Sequence, residues 1–526
     1  MHYLLVALTL GLTLLLLRIL TRAASTRYNL PPGPQGGFIL GMRRLLPSVE
    51  PWKTYARWSQ VYGDPVISFR VYNRHIVVLN SAQAISDLLE RKAEIYSDRP
   101  MSWMYNVICD RGKAIFNISS SNPRHKQYRK ILQSGLGLRA IREYLPLIQQ
   151  ESLRLALGLI QSPEQLVTHI QRNSAAVIMK VAFGYMITDD DPFIKVADEA
   201  SRISGWATQP GRWLVDHHPI SMFQDILWKS PFNELPHSSI ISFLAPWNGM
   251  ETTRPSVEGK ASGIHTDCFT SRLLSPDDGN ICSPEDVDTI KWCAGALYAG
   301  AGDTTVSAII SFVLLMALHP EVQVKAREEI RATFGDLVMN YTDVSSTSSR
   351  ARDLTHSKAH EDDVDLNQIS RLPYLNAIMK EVLRFAPVGN MALPHRVTEE
   401  DVYRGYRIPK DASIIANVWA VLHDPSIYPE PFTFSPERFM PSSPSNSERS
   451  TPQPDSKQWS FGFGKRACPG INFAETTMLF AMFNILLRCK ISLPSGATKP
   501  VEVEFTTGIT SHIKLFPIVV EPIQTT

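Results

Sequence analysis

The sequence predicts a mainly helical α+β domain with a small β subdomain, preceded by one N-terminal transmembrane helix. Three observations predict it. Residues 62–79 (YGDPVISFRVYNRHIVVL) alternate and are rich in β-branched side chains, the pattern of a hairpin. Across residues 123–337 the apolar positions recur mostly at helical spacing, with loops around 210–219 and 246–265. Residues 3–17 form an almost unbroken apolar run.

At 526 residues the length allows one large domain or two or three smaller ones, and the 44% hydrophobic content supports a substantial core. A formal net charge of +2 gives no reason to expect a nucleic acid or another polyanion as partner. The six cysteines are scattered without CxxC spacing, which fits a reducing compartment better than a disulfide framework.

The elements follow in order. The apolar run at 1–20 reads as an anchor slightly shorter than a full bilayer span, with Arg18 snorkelling at its end. A cleaved signal peptide is the competing reading, but such a peptide wants positive charge before the run, and only Met1 and His2 stand there. Arg18, Arg22 and Arg27 instead follow the run, which predicts a single-pass anchor with the downstream chain in the cytosol. That topology makes the sequons at Asn117 and Asn340 chance matches. Residues 21–36, basic and then proline-rich (LPPGP), read as a stiff hinge before a globular domain at 37–526. The hairpin is expected to turn at Asn73 and Arg74, and residues 81–91 have helical spacing behind a serine start. Residues 340–365, rich in Ser, Thr, Asp and His, read as a disordered, solvated insert, and 441–457 as a Ser/Pro-rich loop. No internal repeat is visible.

Four constellations carry chemistry. In FGFGKRACPG (461–470), Cys468 stands in a loop punctuated by Gly462, Gly464 and Gly470, which lets the backbone bend tightly and approach a flat cofactor. A thiolate there can ligate a metal, and Lys465 and Arg466 favour the thiolate and can meet a cofactor carboxylate; the bland alternative is a buried structural cysteine. The long helical segment 286–318 is centred on LYAGAGDTT. Two interior glycines there cost roughly 1 kcal/mol each against alanine, and Asp303, Thr304 and Thr305 are placed to bend the helix and hold a water; the alternative is a notch made for packing. Glu381 and Arg384, at i and i+3 among apolar neighbours, form a partly buried pair. RHKQYRK (124–130) is a basic helix start, whose bland reading is a solvated face.

The decamer resembles the haem-binding loop of the cytochrome P450 monooxygenases, Phe-x-x-Gly-x-x-x-Cys-x-Gly, at all four fixed positions. The resemblance runs from Pro31 to about Phe516 and implies the cytochrome P450 fold, with Cys468 as the axial thiolate of haem b iron. Such a thiolate pushes electron density onto the metal and favours O–O cleavage. By the same resemblance, Thr304 holds the oxygen being activated or its water, and Asp303 helps deliver protons; Ala301 stands where the motif prefers glycine. Glu381, Arg384 and Arg438 correspond to the structural Glu-x-x-Arg and Pro-Glu-Arg-Phe triad. Arg466, Arg129, and Arg396 or His395 correspond to haem propionate partners, with His125 standing where the family has tryptophan. Trp103, Phe116, Leu297, Val388, Met391 and Ile509 fall in stretches that line the family's pocket, and their apolar character suits an apolar small molecule.

The closest flavour is that of fungal microsomal enzymes of secondary metabolism, with the catalytic domain on the cytosolic side of the endoplasmic reticulum membrane. The resemblance implies electrons from NADPH through a flavoprotein reductase, with cytochrome b5 as a second donor. It leaves open a haem-thiolate isomerase or dehydratase, a non-catalytic haem protein, and a defective chain from a misplaced intron. The last is suggested by the short region 236–269 and the insert at 340–365.

Overall fold

The computed structural model describes residues 9–11, 13–14, 17, 29–188, 191–208, 212–217, 267–274, 282–335, 366–441, 452–497 and 503–523. Most of the expected anchor, the start of the hinge, the region 236–266 and the insert at 340–365 lie outside them.

The first packed helix is α1 (Pro51–Tyr62), which ends where Gly63 takes a left-handed φ of 68° and its amide closes the last turn on Ser59 and Gln60. The hairpin follows as β1 (Val66–Val71) and β2 (Arg74–Leu79), in register from Val66 opposite Leu79 to Val71 opposite Arg74. Its two turn residues are therefore Tyr72 and Asn73, one position earlier than the sequence suggested, and Tyr72 carries the positive φ of 51°. Asparagine tolerates that conformation better than tyrosine, which is why the sequence pointed one residue too far along.

Residues 30–42 do not hang free as a spacer. Ser68 donates its amide to Pro32 O and its hydroxyl to Pro31 O, and Met42 donates to Arg70 O, so this end of the expected hinge is laid along β1. A sheet edge supplies unpaired groups, and a proline-rich strand supplies the carbonyls to meet them. The sheet is completed far along the chain: β2 pairs parallel with β6 (Ser413–Ala416), which pairs antiparallel with β3 (His395–Arg396), giving the order β1-β2-β6-β3. Two small ribbons, β4 (Asp401–Tyr403) with β5 (Tyr406–Ile408) and β7 (Cys489–Ser492) with β8 (Val519–Pro522), lie apart from it.

The helical layer is larger. Ser81 caps α2 (Ala82–Ile85) by accepting from Ala84 N, and a π-helical turn at Ser86–Arg91 extends it. Then come α3 (Pro123–Leu136), α4 (Leu138–Gln161), α5 (Leu166–Phe183) and α6 (Pro192–Ala207). After these follow α7 (Pro284–Ala301), α8 (Thr304–Leu318), α9 (Pro320–Phe334), α10 (Pro373–Phe385) and α11 (Ile471–Arg488). Together α7 and α8 form a stretch of 35 residues apolar enough to cross a bilayer, but 78% of its most apolar window is buried inside the protein. It is the axis of the core, packed by α5, α10 and α11. Helices buried all round lose the polar stripe of a surface helix, which explains that hydropathy.

Among the described residues the core holds a buried ionic cluster of Glu381, Arg384 and Arg438. Arg384 grips Glu381 through two bonds of 2.7 and 2.8 Å, and Arg438 Nε donates to Glu381 Oε1 at 3.1 Å. The rest of both guanidinium forks is spent on the carbonyls of Leu422, Pro429, Pro431 and Thr433. Ser435 N adds a bond to the same carboxylate. The triad thereby ties α10 to the irregular, turn-rich segment 422–438 that leads toward the cysteine loop.

Candidate active site

The cysteine loop runs from the short helix Lys457–Ser460 to the start of α11. Cys468 N donates to Phe461 O at 2.7 Å, closing the loop across the motif. Gly462 and Gly464 take φ of 74° and 53°. At Gly464 the need is also steric: a Cβ there would sit 2.4 Å from Leu89 O and 2.9 Å from the Ala93 side chain. The loop thus rests its backbone directly on the π-helical turn after α2. Gly464→Ala is expected to combine about 1–2 kcal/mol of left-handed strain with this clash, lowering the melting temperature and the fraction of protein recovered folded. A melting curve equal to that of the unaltered protein would show that the loop does not depend on this contact.

Cys468 has accessible surface although protein surrounds it closely. Burial raises its thiol, against the opposing pull of the Gly470 amide and the Arg129 charge. A sulfur so placed loses its proton most readily when a metal ion coordinates it, the proton being released to solvent.

Beside it lies a group of half-buried cations. Arg466 donates to the carbonyls of Ser97 at 2.8 Å, Ile115 at 3.2 Å, and Ile118. Arg99 donates to Phe116 O at 2.9 Å, Leu393 O at 2.6 Å and Pro394 O at 2.8 Å. Arg129, on α3, donates to Ala467 O at 2.5 Å. Burial lowers all three guanidinium groups; Arg466 further depresses Arg99, and Arg129 further depresses Arg466. Two histidines share the neighbourhood. Burial, followed by Arg466, Arg129, Arg99 and Lys465, lowers His125 to about 4. Burial and Arg99 lower His395 to about 3. Both are therefore neutral at pH 7. His395 Nδ1 meets Tyr96 O at 2.8 Å and must be the protonated nitrogen.

Carbonyl partners satisfy hydrogen bonds but do not cancel charge. The carboxylate whose field reaches Arg99 and Arg466 is Asp98, and Asp98 is already paired with Arg396. Arg99 and Arg466 thus share one engaged carboxylate, and the group that favours the charged form of Arg129 is Cys468. That surplus fits a ligand bearing carboxylates, as the two propionates of haem do. Arg396 itself is turned away to Asp98 and to Asp411 at 2.7 Å, so of the two residues expected at this turn it is His395 that joins the cluster. Arg99 was not singled out as a propionate partner from the sequence. A lone arginine before a proline gives no local signal, because its role depends on carbonyls brought from residues 116, 393 and 394.

The third part is the interruption between α7 and α8. Its residues 299–304 keep accessible surface, while nearly every neighbour on either side of it is buried. Thr304 Oγ1 donates to Gly300 O at 2.5 Å, and Ser174 Oγ on α5 donates to Ala301 O at 3.1 Å. Both bonds serve carbonyls freed by the broken helical ladder. The bend expected from the glycines and hydroxyls is thus present as a break, and Ser174 supports it from outside. Asp303 Oδ1 lies 3.1 Å from His512 Nε2. Burial pushes its carboxyl up, but hydrogen bonds from His512 and Thr510 and the His512 charge outweigh this and hold it below the usual value.

The three parts are linked through residues 115–118. Ile115 and Phe116 give their carbonyls to Arg466 and Arg99, and the Phe116 ring stands 3.8 Å from where a Cβ on Gly300 would be. Of the pocket residues expected, Phe116, Val388 and Met391 are half-buried against the main core, Trp103 is half-buried, and Ile509 is 52% exposed. Leu297 is 4% exposed and packs as core.

The family model for Cytochrome P450 matches residues 31–520. The chain is 34% identical to Cytochrome P450 monooxygenase claR of Ampulloclitocybe clavipes, over 94% of this chain and 87% of that protein. It is 31% identical to claT of the same organism, over 97% and 95%. It is 28% identical to Cytochrome P450 monooxygenase ppsD of Aspergillus oryzae, over 94% and 89%. Among solved structures it resembles "Zebra fish cytochrome P450 another structure with Abiraterone", with a TM-score of 0.66 at 19% identity, covering 90% of this chain and 100% of that one. At that identity the likeness speaks for the fold alone.

Proposed function

The chain belongs to the cytochrome P450 family, whose relatives here are monooxygenases, and from that premise we propose a membrane-anchored enzyme that oxidises an apolar small molecule in fungal secondary metabolism. The reaction is R–H + O2 + NADPH + H⁺ → R–OH + H2O + NADP⁺, with electrons passed on by a flavoprotein reductase, and cytochrome b5 as a second donor. The observation that carries this reading is the convergence of three features on residues 115–118: the Cys468 loop, the uncompensated cations and the break in the central helix.

Haem, when bound, supplies the oxygen activation and one-electron chemistry that no side chain offers. Cys468 Sγ would ligate its iron. Arg99, Arg129 and Arg466 would hold its propionates, with His125 and His395 lining the same cluster. His395, whose Nδ1 proton is committed to Tyr96, would donate through Nε2 only as an imidazolium. The Thr304 hydroxyl, now on Gly300 O, is placed to turn toward a reacting oxygen, and Asp303 to pass protons to it. Phe116, Val388 and Met391 would exclude water and seat the apolar substrate. The run at 1–20 would anchor the protein in the endoplasmic reticulum membrane with its catalytic domain in the cytosol.

The test is to reconstitute the full chain with reductase and screen apolar aromatic and terpenoid compounds under ¹⁸O₂. Substrate-dependent NADPH consumption, with one labelled oxygen in the product, is the expected result. Conversion of a substrate without NADPH use or label would make the protein an isomerase or dehydratase instead.

A further inference from the structure

The C-terminal hairpin reaches back to the break in the central helix. Thr506 and His512 form its neck: Thr506 N donates to His512 O at 2.8 Å, and His512 N donates to Thr506 Oγ1 at 3.0 Å. Just outside the neck, Phe505 bridges Ile513, which is buried. The loop is also sewn to its surroundings. Ser511 N donates to Val388 O at 2.8 Å, and Ser511 O accepts from Ser307 Oγ on α8 at 2.5 Å. The backbone of His512 is therefore fixed without using its side chain. The imidazole is left to meet Asp303, with Thr510 of the same loop adding a second bond to that carboxylate.

We propose that His512 is the positioning residue for Asp303, holding its carboxylate at the helix break so that protons reach the oxygen chemistry on schedule. This rests on the reading of the site given above and adds to it a residue outside the family motifs. The argument is geometric. Asp303 begins α8 where no helical neighbour restrains it, and its side chain is 53% exposed. An aspartate so placed samples several rotamers unless something holds it. Among the described residues, the ionisable group whose field reaches it is His512. The same loop carries Ile509 and is bonded to Val388, so the wall that would touch substrate and the clamp on the acid are one piece of backbone. Contact with substrate would therefore be felt at Asp303 through His512.

The test needs no identified substrate. With reductase, NADPH and oxygen alone, electrons leave by two routes. One is NADPH + H⁺ + O2 → NADP⁺ + H2O2, and the other is 2 NADPH + 2 H⁺ + O2 → 2 NADP⁺ + 2 H2O. Both consume protons, but only the second breaks the O–O bond, which needs them delivered to the oxygen that leaves as water. In His512→Ala the ratio of peroxide to water is expected to rise about tenfold, the size of effect typical of losing an orienting partner. His512→Gln, which keeps a donor at the same reach, is expected to recover most of the loss. In the Asp303→Asn background the His512 change is expected to add little. A second readout is independent of turnover: the Asp303 carboxyl signal in carbon-13 spectra, identified by its absence in Asp303→Asn, is expected to protonate at higher pH in His512→Ala. Melting temperature and the carbon monoxide spectrum are expected to stay as in the unaltered protein. An unchanged peroxide ratio and an unchanged carboxyl titration would overturn the role of His512 alone. Absence of a thiolate-type carbon monoxide band from the unaltered protein would overturn the reading beneath it as well.

Discussion

Cys468→Ala is expected to abolish oxygenation while leaving a folded protein. The loop is closed by the Cys468 amide and by bonds among Phe463, Gly464, Arg466 and Ala467, none of which uses the sulfur. Phe463, the loop's buried anchor, is untouched as well. The variant is therefore expected to melt within a few degrees of the original, since losing one sulfur atom that makes no loop hydrogen bond changes stability little. It is expected to retain less haem, because the arginine cluster can still meet the propionates but the soft metal bond is gone. Reduced and exposed to carbon monoxide, it should lose the red-shifted band of a thiolate ligand. Full turnover in this variant would remove Cys468 from the chemistry.

Glu381→Ala has the largest expected effect on stability. The carboxylate is fully buried and is the shared anion of Arg384, itself 0% exposed, and of Arg438. Removing it leaves two desolvated guanidinium groups facing carbonyls only. Breaking a buried pair from one side typically costs about 3–5 kcal/mol. Against a total stability on the order of 5–15 kcal/mol, that is enough to deplete folded protein in cells. Truncating Glu94, whose bond to Lys465 is as short at 2.6 Å but is made between exposed groups, is expected to change the melting temperature very little. Equal melting temperatures for the two variants would contradict this account of the triad.

The two predictions differ in how visible their residues were beforehand. Cys468 was legible because its whole setting is local: the glycines that fold the loop lie within six residues of the sulfur. Glu381 and Arg384 were legible as a pair at one helical spacing, but their complete burial was not, since it depends on segment 422–438 closing over them. The break at Gly302 and Asp303 could be anticipated because glycine and hydroxyl residues in an otherwise apolar helix carry a cost that needs a reason. Ser174, Arg99 and His512 could not be anticipated, for their partners lie 127, 17 to 295 and about 210 residues away. Arg396 shows the same limit from the other side. Its position in the chain pointed toward a propionate, whereas the sheet brings Asp98 and Asp411 to it first. Likewise the parallel pairing of β2 with β6 leaves no trace in either strand's own sequence. Short-range pattern sets turns, caps and faces, and long-range packing decides which buried charges meet.

The most direct test of the central claim is the carbon monoxide difference spectrum of the reduced full-length protein, recorded in microsomes. A strongly red-shifted Soret band is the predicted result, since it reports a thiolate on haem iron within a closed pocket. A band at the position of histidine- or thiol-ligated haem, or no haem signal from protein that is present and folded, would contradict it.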